Sequence, residues 1–323
     1  MPQKKRALIL GISGQDGGYL PKLLLDKGYE VHGTSRDCEL SQFNNLKKLA
    51  IFDGVQVHSC SLSDFQNVFM LLEELRPDEI YNLAGQSSVG LSFSQPQLTF
   101  ESLAVSTINL LEAIRVSNLP TLFFNPASGE CFGNCITPAT ERTQFHPRSP
   151  YAIAKATAYW TITNYRESYG LFACSGILFN HESPLRPERF VTQKIVSAAV
   201  RISRGSAEKL QLGNIDIRRD WGWSPEYVLA MWKMLQMDTP QDLIIATGKS
   251  YTLRNFLENT FGCLRLNWRD HIIFEENLTR PNELMESHAD PTRADEVINW
   301  KAECQFPELI ERLIECEKAG TPI

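Results

Sequence analysis

The chain has 323 residues, 43% hydrophobic and 22% charged, with 32 basic against 38 acidic side chains and a formal net charge of -6. This is the composition of a globular protein long enough for about two domain-sized units, and it excludes disordered, collagenous and coiled-coil classes. A mildly acidic chain has no global electrostatic pull toward nucleic acid or an anionic membrane, though a local basic pocket for a phosphorylated small molecule stays open.

The first half reads as strands alternating with helices. Residues 7–10 form an apolar run for a buried strand, followed by a glycine turn and a helix over 19–27 that stops before Gly28. Strands follow at 30–34, 55–57, 79–83 and 121–124. Between them lie a helical stretch at 43–49, a helix capped by Asp64 that runs to Leu75, and one long helix over 97–117 with Leu103, Ile108, Leu111 and Ile114 on its apolar face. The turn cluster Pro147-Arg148-Ser149-Pro150 opens a helix over 151–169, and 172–178 is a further strand. This alternation implies an α/β, Rossmann-type doubly wound parallel sheet. The second half is broken by Pro184, Pro187, Pro225, Pro240 and Pro281 and reads as a smaller substrate-binding lobe. The division expected is 1–180 for the dinucleotide-binding domain, with some later segments added, and 181–323 for the interleaved lobe; the cleft between them is the default ligand site.

No apolar run approaches the ~18 residues of a membrane span. The basic start Met1-Pro2-Gln3-Lys4-Lys5-Arg6 is followed by an apolar run too short for a signal sequence. Cysteines 38, 60, 131, 135, 174, 263, 304 and 316 form no CxxC pair and read as reduced thiols of a cytoplasmic protein. No metal site is expected; Cys131 and Cys135 have no matching second pair.

Gly11-Ile12-Ser13-Gly14-Gln15-Asp16-Gly17 sits between the first strand and the first helix. Glycines there let backbone approach a pyrophosphate, and the helix N-terminus offers free N–H groups. The spacing GxxGxxG alone is weak evidence, since such turns often merely connect strand to helix; its place at the head of a βαβ chain makes it a dinucleotide signal. At the end of the second strand, Arg36 favours the 2'-phosphate of NADP, while Asp37 keeps NAD open.

Tyr151 and Lys155 stand four residues apart at a helix start, on one face. A phenol is a poor base near neutrality, and a neighbouring ammonium favours the phenolate. Ser128 after the fifth strand completes a hydroxyl–phenol–ammonium set, with Glu130 two residues on. Together with the glycine turn, these residues resemble the extended short-chain dehydrogenase/reductases. The segments Gly14-Gln15-Asp16-Gly17, Pro147 to Ala152, Asn180-His181-Glu182-Ser183-Pro184, Leu212-Gly213-Asn214 and Arg219-Asp220-Trp221-Gly222 resemble more narrowly the GDP-mannose 4,6-dehydratases, over residues 7–302.

That resemblance implies an NADP-dependent hydro-lyase that oxidises C4 of GDP-mannose, eliminates water across C5 and C6, and returns the hydride to C6. Tyr151 would take the C4 hydroxyl proton, Lys155 would hold Tyr151 ionised and orient the ribose, Ser128 would bond the C4 oxygen, and Glu130 would remove the C5 proton. The cofactor would meet the glycine turn, Arg36, Ser61, Leu62, Leu83, Ala84, Gly85, Gln86, Ser87, Tyr151, Lys155, His181 and Arg186. Ser87, Asn180, Val191, Lys194, Leu212, Asn214, Arg219, Arg280 and Glu283 would bind GDP-mannose or a related GDP-sugar. A homodimer or homotetramer is implied as well. The chain departs from the family at Ser128-Gly129-Glu130, where Thr-Ser-Glu is usual, and at Asp37, Ser61, Ser88 and Gly90. These changes point to an altered sugar or cofactor preference. A GDP-4-keto-6-deoxymannose reductase or a related nucleotide-sugar dehydratase/epimerase is the nearest rival, and a non-catalytic nucleotide sensor is a rival of another class. Retained Glu130 beside Asn-His-Glu-Ser-Pro argues for the dehydratase, and survival of all four reactive side chains argues against the sensor.

Overall fold

A computed structural model describes residues 4–278 and 280–322; of the expectations above, Met1, Pro2 and Gln3 in the basic start lie outside them. Strands β1 (Arg6–Leu10), β2 (Glu30–Ser35), β3 (Val55–Ser59), β4 (Glu79–Asn82), β5 (Leu122–Ser128) and β6 (Ala173–Leu178) form a parallel sheet. A late strand, β10 (Leu243–Ile245), pairs in parallel with β6 to give seven strands in the order β10-β6-β5-β4-β1-β2-β3. Successive residues of β1 feed opposite cores. Ala7 and Ile9 pack with Tyr81, Phe124, Tyr227 and Met231, whereas Leu8 and Leu10 pack with Leu72, Ile80, Leu111 and Phe123. Both faces are covered, so β1 reads as an unbroken apolar run. Its neighbours diverge, β2 on one side and β4 on the other, and the crevice at that reversal opens at the carboxyl ends of the strands.

The helices between the strands are α1 (Asp16–Asp26), α2 (Asn44–Lys48), α3 (Phe65–Leu75), α4 (Val89–Ser94), α5 (Pro96–Phe100), α6 (Ser106–Val116) and α7 (Pro150–Tyr169). As the sequence predicts, Asp64 accepts from Gln66 N and Asn67 N at the start of α3. Two expectations are corrected. The single helix over 97–117 is α5 and α6 joined by a π-helical turn, Glu101–Val105. The wider turn packs Leu103 against Gly85, where an added Cβ would lie 2.4 Å from Leu103 Cδ2. It also leaves Ile108 at 40% exposure, outside the apolar face assigned to it. The fifth strand runs past Phe124 to Ser128. Asn125-Pro126 looks like a break, but β5 pairs with β4 only as far as Phe124, so the missing Pro126 N–H costs no bond on that side.

The later segments are β7 (Asn180–Glu182), α8 (Val191–Ser203), β8 (Leu210–Leu212), β9 (Arg218–Trp223), α9 (Ser224–Met234), β11 (Ser250–Thr252), α10 (Leu253–Cys263), β12 (Ile272–Phe274), α11 (Thr292–Ile298) and α12 (Phe306–Ala319). Their own core joins Ile195, Leu212, Trp221, Phe256, Phe306 and Leu309. Helices α9 and α11 return instead to the main sheet's core through Tyr227, Met231 and Ala294. Strand β7 pairs in parallel with β9, matching Asn180 with Trp221, His181 with Gly222 and Glu182 with Trp223. The two most distinctive segments of the sequence are therefore adjacent strands. No helix among the described residues is long and apolar enough to cross a membrane.

Candidate functional site

The crevice is a cavity of about 1,410 Å³ that opens over β1, β4 and β5 and is walled by β7, β9 and the start of α8. At its floor, Gly11 has φ +82°, and a Cβ there would come within 2.7 Å of Ala84 Cα, so only glycine lets the first turn lie against the β4 turn. A Cβ on Gly17 would lie 2.4 Å from Gly11 O. No side chain caps the N-terminus of α1, so its first backbone N–H groups are left open to an anion.

The turn is braced from elsewhere in the chain. Gln15 Nε2 donates to His181 O at 3.1 Å, Ser183 Oγ donates to Gln15 Oε1 at 2.9 Å, and Asn45 Nδ2 donates to Ser13 O and Gly14 O, both at 3.1 Å. Asp16 Oδ2 lies 2.9 Å from His181 Nε2, and Ser224 Oγ donates to Asp16 Oδ1 at 2.8 Å. His181 also stacks on Tyr227, 4.6 Å between ring centres. Burial pushes the Asp16 carboxyl up, but His181 and the hydrogen bonds outweigh it and bring its pKa to about 2. Burial lowers the His181 imidazole, and Asp16 more than reverses that, so its pKa is raised. Sequence reasoning missed Asn45 and Ser224, which lie in no motif and act only across the fold.

At the end of β2, Arg36 lines the cavity and has no polar partner among the described residues. Asp37 is turned to its own backbone: Oδ1 accepts from Glu39 N at 2.9 Å and Leu40 N at 3.1 Å. Of the two residues that compete for a ribose 2' substituent, the free one is the arginine, which fits a 2'-phosphate. Ser61, Leu62, Leu83, Ala84, Gly85, Gln86 and Ser87, the residues expected to meet the cofactor, also line the cavity.

Ser128, Glu130, Tyr151 and Lys155 meet in the same cavity. Ser128 is the last residue of β5 rather than lying beyond it, and its Oγ accepts from Glu130 N at 3.3 Å. Ser149 Oγ accepts from Ala152 N at 3.1 Å, fixing the first turn of α7 and with it Tyr151. Lys155 Nζ donates to Pro126 O at 2.7 Å and lies 5.9 Å from the centre of the Tyr151 ring. Burial lowers the Lys155 pKa to about 8. Burial also pushes the Tyr151 phenol above its ordinary value, with a hydrogen bond to Ser128 opposing it. Gly129 makes room for Phe179, whose ring would lie 3.0 Å from a Cβ there, whereas a Cβ on Gly90 would meet only Ser88 Oγ at 4.0 Å.

Asn180, Val191, Arg219 and Arg280 line the cavity together with His181 and Arg186. Ile12, Lys194, Leu212, Asn214 and Glu283 do not. Ile12 is fully buried, Leu212 belongs to the second core, and Lys194 Nζ donates to Gln211 O at 2.7 Å. Asn214 faces a separate depression with Arg254 and Phe274. Glu283 stands behind the wall, 3.4 Å from both Arg219 Nη2 and Arg280 Nη1. Arg186, paired with buried Glu182 at 2.9 Å, is largely neutralised. Arg189, which no motif marked, lines the cavity without a counter-ion among the described residues. Cys131 Sγ donates to Ala152 O and Cys135 Sγ to Phe132 O, each at 3.7 Å, so neither thiol serves the other.

Residues 8–313 match the family model described as GDP-mannose 4,6 dehydratase. The chain is 44% identical over 324 residues to GDP-mannose 4,6 dehydratase 1 of Arabidopsis thaliana, covering 97% of this chain and 89% of that one. It is 48% identical over 265 residues to the GDP-mannose 4,6-dehydratase of Vibrio cholerae, covering 79% of this chain and 71% of that one. Among solved structures, the Thermus thermophilus UDP-glucose 4-epimerase complex with NAD superposes with a TM-score of 0.85 at 23% identity, covering 98% of this chain and 100% of that one. RMD from Pseudomonas aeruginosa complexed with NADPH superposes at 0.80 and 21% identity, with the same coverage. At these identities the structural likeness shows the fold alone.

The Asp16–His181 pair carries a pH signature. The depressed Asp16 contributes stability above its ordinary value of 3.8 that is lost as pH falls through about 2. The raised His181 contributes stability below 6.5 that is lost as pH rises through its elevated value. Melting curves of wild type and Asp16→Asn therefore diverge most between about pH 4 and 6.5 and converge on either side. A gap that stays constant from pH 3 to 9 contradicts the pairing.

Proposed function

The chain belongs to the GDP-mannose 4,6-dehydratase family, and from that premise we propose that it binds NADP and GDP-mannose in the crevice and releases GDP-4-keto-6-deoxymannose. The observation that carries this reading is the meeting of Ser128, Glu130, Tyr151 and Lys155 in one cavity, with the braced glycine turn at its floor. Bound there, NADP supplies a hydride acceptor at C4 and a donor at C6, so it ends as it began. It would be held by the glycine turn, Arg36, Ser61 and Lys155.

The chain's own residues then move protons and fix orientation. Tyr151 takes the C4 hydroxyl proton at its phenolic oxygen. A buried phenol gives up its proton only with positive charge nearby, and Lys155 supplies such a charge from within the fold. Ser128 donates a hydrogen bond to the C4 oxygen. Once C4 is a ketone, the C5 proton is acidic, and Glu130 removes it as the C6 hydroxyl leaves with a proton as water. Gly129 offers no side chain to that leaving oxygen, so Glu130 serves both proton transfers. Arg280 and Arg189 supply cations for the diphosphate, and Asn180 lines the same cavity.

We also propose a homodimer. Helices α5 and α6, continuous through the π-turn, pack along α7, and Phe100, Val105, Ile108, Ile153 and Trp160 on these helices and the turn are 38–59% exposed. A second copy of the same face covers this apolar patch on both chains.

Purified protein incubated with GDP-mannose is expected to give a product lighter by about 18 mass units, with no net change at 340 nm; Tyr151→Phe slows this by about 10²–10⁴-fold. Net loss of absorbance from added NADPH would instead mark a reductase, and unchanged GDP-mannose removes the proposal. Arg36→Ala is expected to weaken NADP about tenfold while leaving NAD almost unaffected by calorimetry; equal losses would deny Arg36 the 2'-phosphate. Light scattering of wild type is expected to give at least a dimer mass, and Ile108→Glu with Trp160→Glu a monomer; a monomeric wild type overturns the interface.

A further inference from the structure

The turn that carries Glu130 continues into a contact with a remote segment. Gly129–Phe132 is a single 3-10 turn, and His146 N donates to Cys131 O at 2.9 Å across it. Gly133 follows with φ +72°, so close to His146 O that a Cβ would collide with it. Only glycine takes this path, so the direction in which the chain leaves toward Asn134 is fixed relative to Glu130. Asn134 is exposed, yet its Oδ1 accepts from Met285 N at 2.7 Å and from Glu286 N at 3.3 Å. Both partners are donors, so the amide oxygen and not the nitrogen must face them. Cys135 N donates to Glu286 O at 3.2 Å, and side chain and backbone thus grip the same place.

The gripped segment, residues 282–288, starts just beyond Arg280. Near its head, Asn282 Oδ1 accepts from Arg148 Nε at 3.0 Å. On its other edge, Arg218 N donates to Met285 O at 2.8 Å and Ser250 Oγ donates to Ser287 O at 2.7 Å. The segment therefore bridges the loop after β5 and the lobe strands β9 and β11. Arg280 lines the cavity, and Glu283 of this segment is its one hydrogen-bonding partner among the described residues. Held from the lobe alone, that guanidinium would follow the lobe. Asn134 refers its position to the turn that carries Glu130.

From this arrangement we propose that Asn134 is a positioning residue for Arg280. Acting through the backbone of 285 and 286, it holds the arginine that meets the diphosphate at a set place relative to Glu130. The inference rests on the dehydratase reading, which makes Arg280 a ligand of the GDP-sugar and Glu130 the base. Asn134 is absent from the cavity lining, so it touches neither sugar nor cofactor and acts only through the segment. The glycine turn is braced by Asn45, His181, Ser183 and Ser224 instead, so cofactor binding does not depend on Asn134.

The test is calorimetry with GDP on the whole, NADP-loaded protein, for wild type, Asn134→Ala, Arg280→Ala and the double variant. Asn134→Ala leaves two backbone N–H groups without their acceptor and is expected to weaken GDP by about tenfold, with NADP affinity within about twofold of wild type. Arg280→Ala weakens GDP by about tenfold as well. The double variant is expected to fall less than about twofold below Arg280→Ala, because the group that Asn134 positions is already gone. In turnover of GDP-mannose, Asn134→Ala raises KM by about tenfold and lowers kcat by less than about threefold. Asn282→Ala, which frees the same segment from Arg148, shows a smaller loss with the same non-additivity and serves if Asn134→Ala does not fold. The proposal is overturned if Asn134→Ala or Arg280→Ala binds GDP as wild type does, if the two losses add in full to about a hundredfold, or if NADP affinity falls along with GDP affinity. A wild type that binds no GDP overturns the dehydratase reading and this inference with it, so the wild-type arm tells the two failures apart.

Discussion

The parallel pairing of β7 with β9 is the constraint on which the cleft depends. It is a short ladder, Asn180 to Glu182 against Trp221 to Trp223. From one of its strands come Asn180 and His181; from the other, two residues before its paired stretch, comes Arg219. His181 reaches to Asp16 in the first turn of the chain, and Arg219 reaches to Glu130 at the end of β5. The ladder thus ties the lobe's wall to the floor of the crevice at two points by charge. The floor is in turn fixed by the reversal of strand order at β1, which opens the crevice at the carboxyl ends of the strands, where backbone N–H groups at the start of α1 suit an anion.

Each buried charge in this region answers to a particular partner. Asp16 has His181, Lys155 has the Pro126 carbonyl, Glu182 has Arg186, and Arg219 divides itself between two carboxylates. Burying a charge is costly unless it is paired and hydrogen-bonded, so these contacts fix direction more than they add stability. The groups that lack such partners are the ones left for ligands. Among the described residues Arg36 and Arg189 have no counter-ion, while Asp37 is folded onto its own turn, so these two arginines are cations the cavity leaves available.

Much of the site was legible in the sequence because its signals are local. The glycine turn, the four-residue spacing of Tyr151 and Lys155, and Asp64 at the head of α3 each follow from chemistry within one or two turns of chain. The doubly wound parallel sheet followed from the alternation of elements. What was not legible depends on distance or on a neighbour's length. Pro126 hid the true end of β5, because its tolerance depends on where β4 stops. The π-turn at 101–105 has no spacing signature; it is set by how Leu103 meets Gly85. The support of the glycine turn by Asn45 and Ser224, and the neutralisation of Arg186 by Glu182, arise only when remote segments close up. Leu212 lay in a motif with Asn214, yet its side chain belongs to a core.

In the reaction we propose, one bound cofactor takes hydrogen from C4 and returns it to C6 within a single closed cleft. GDP-mannose carrying deuterium at C4 examines it directly, with the product read by NMR. Deuterium is expected at C6 of the 4-keto sugar, retained when unlabelled NADPH is added in excess. Deuterium lost to solvent, or found on free cofactor instead of C6, would contradict it.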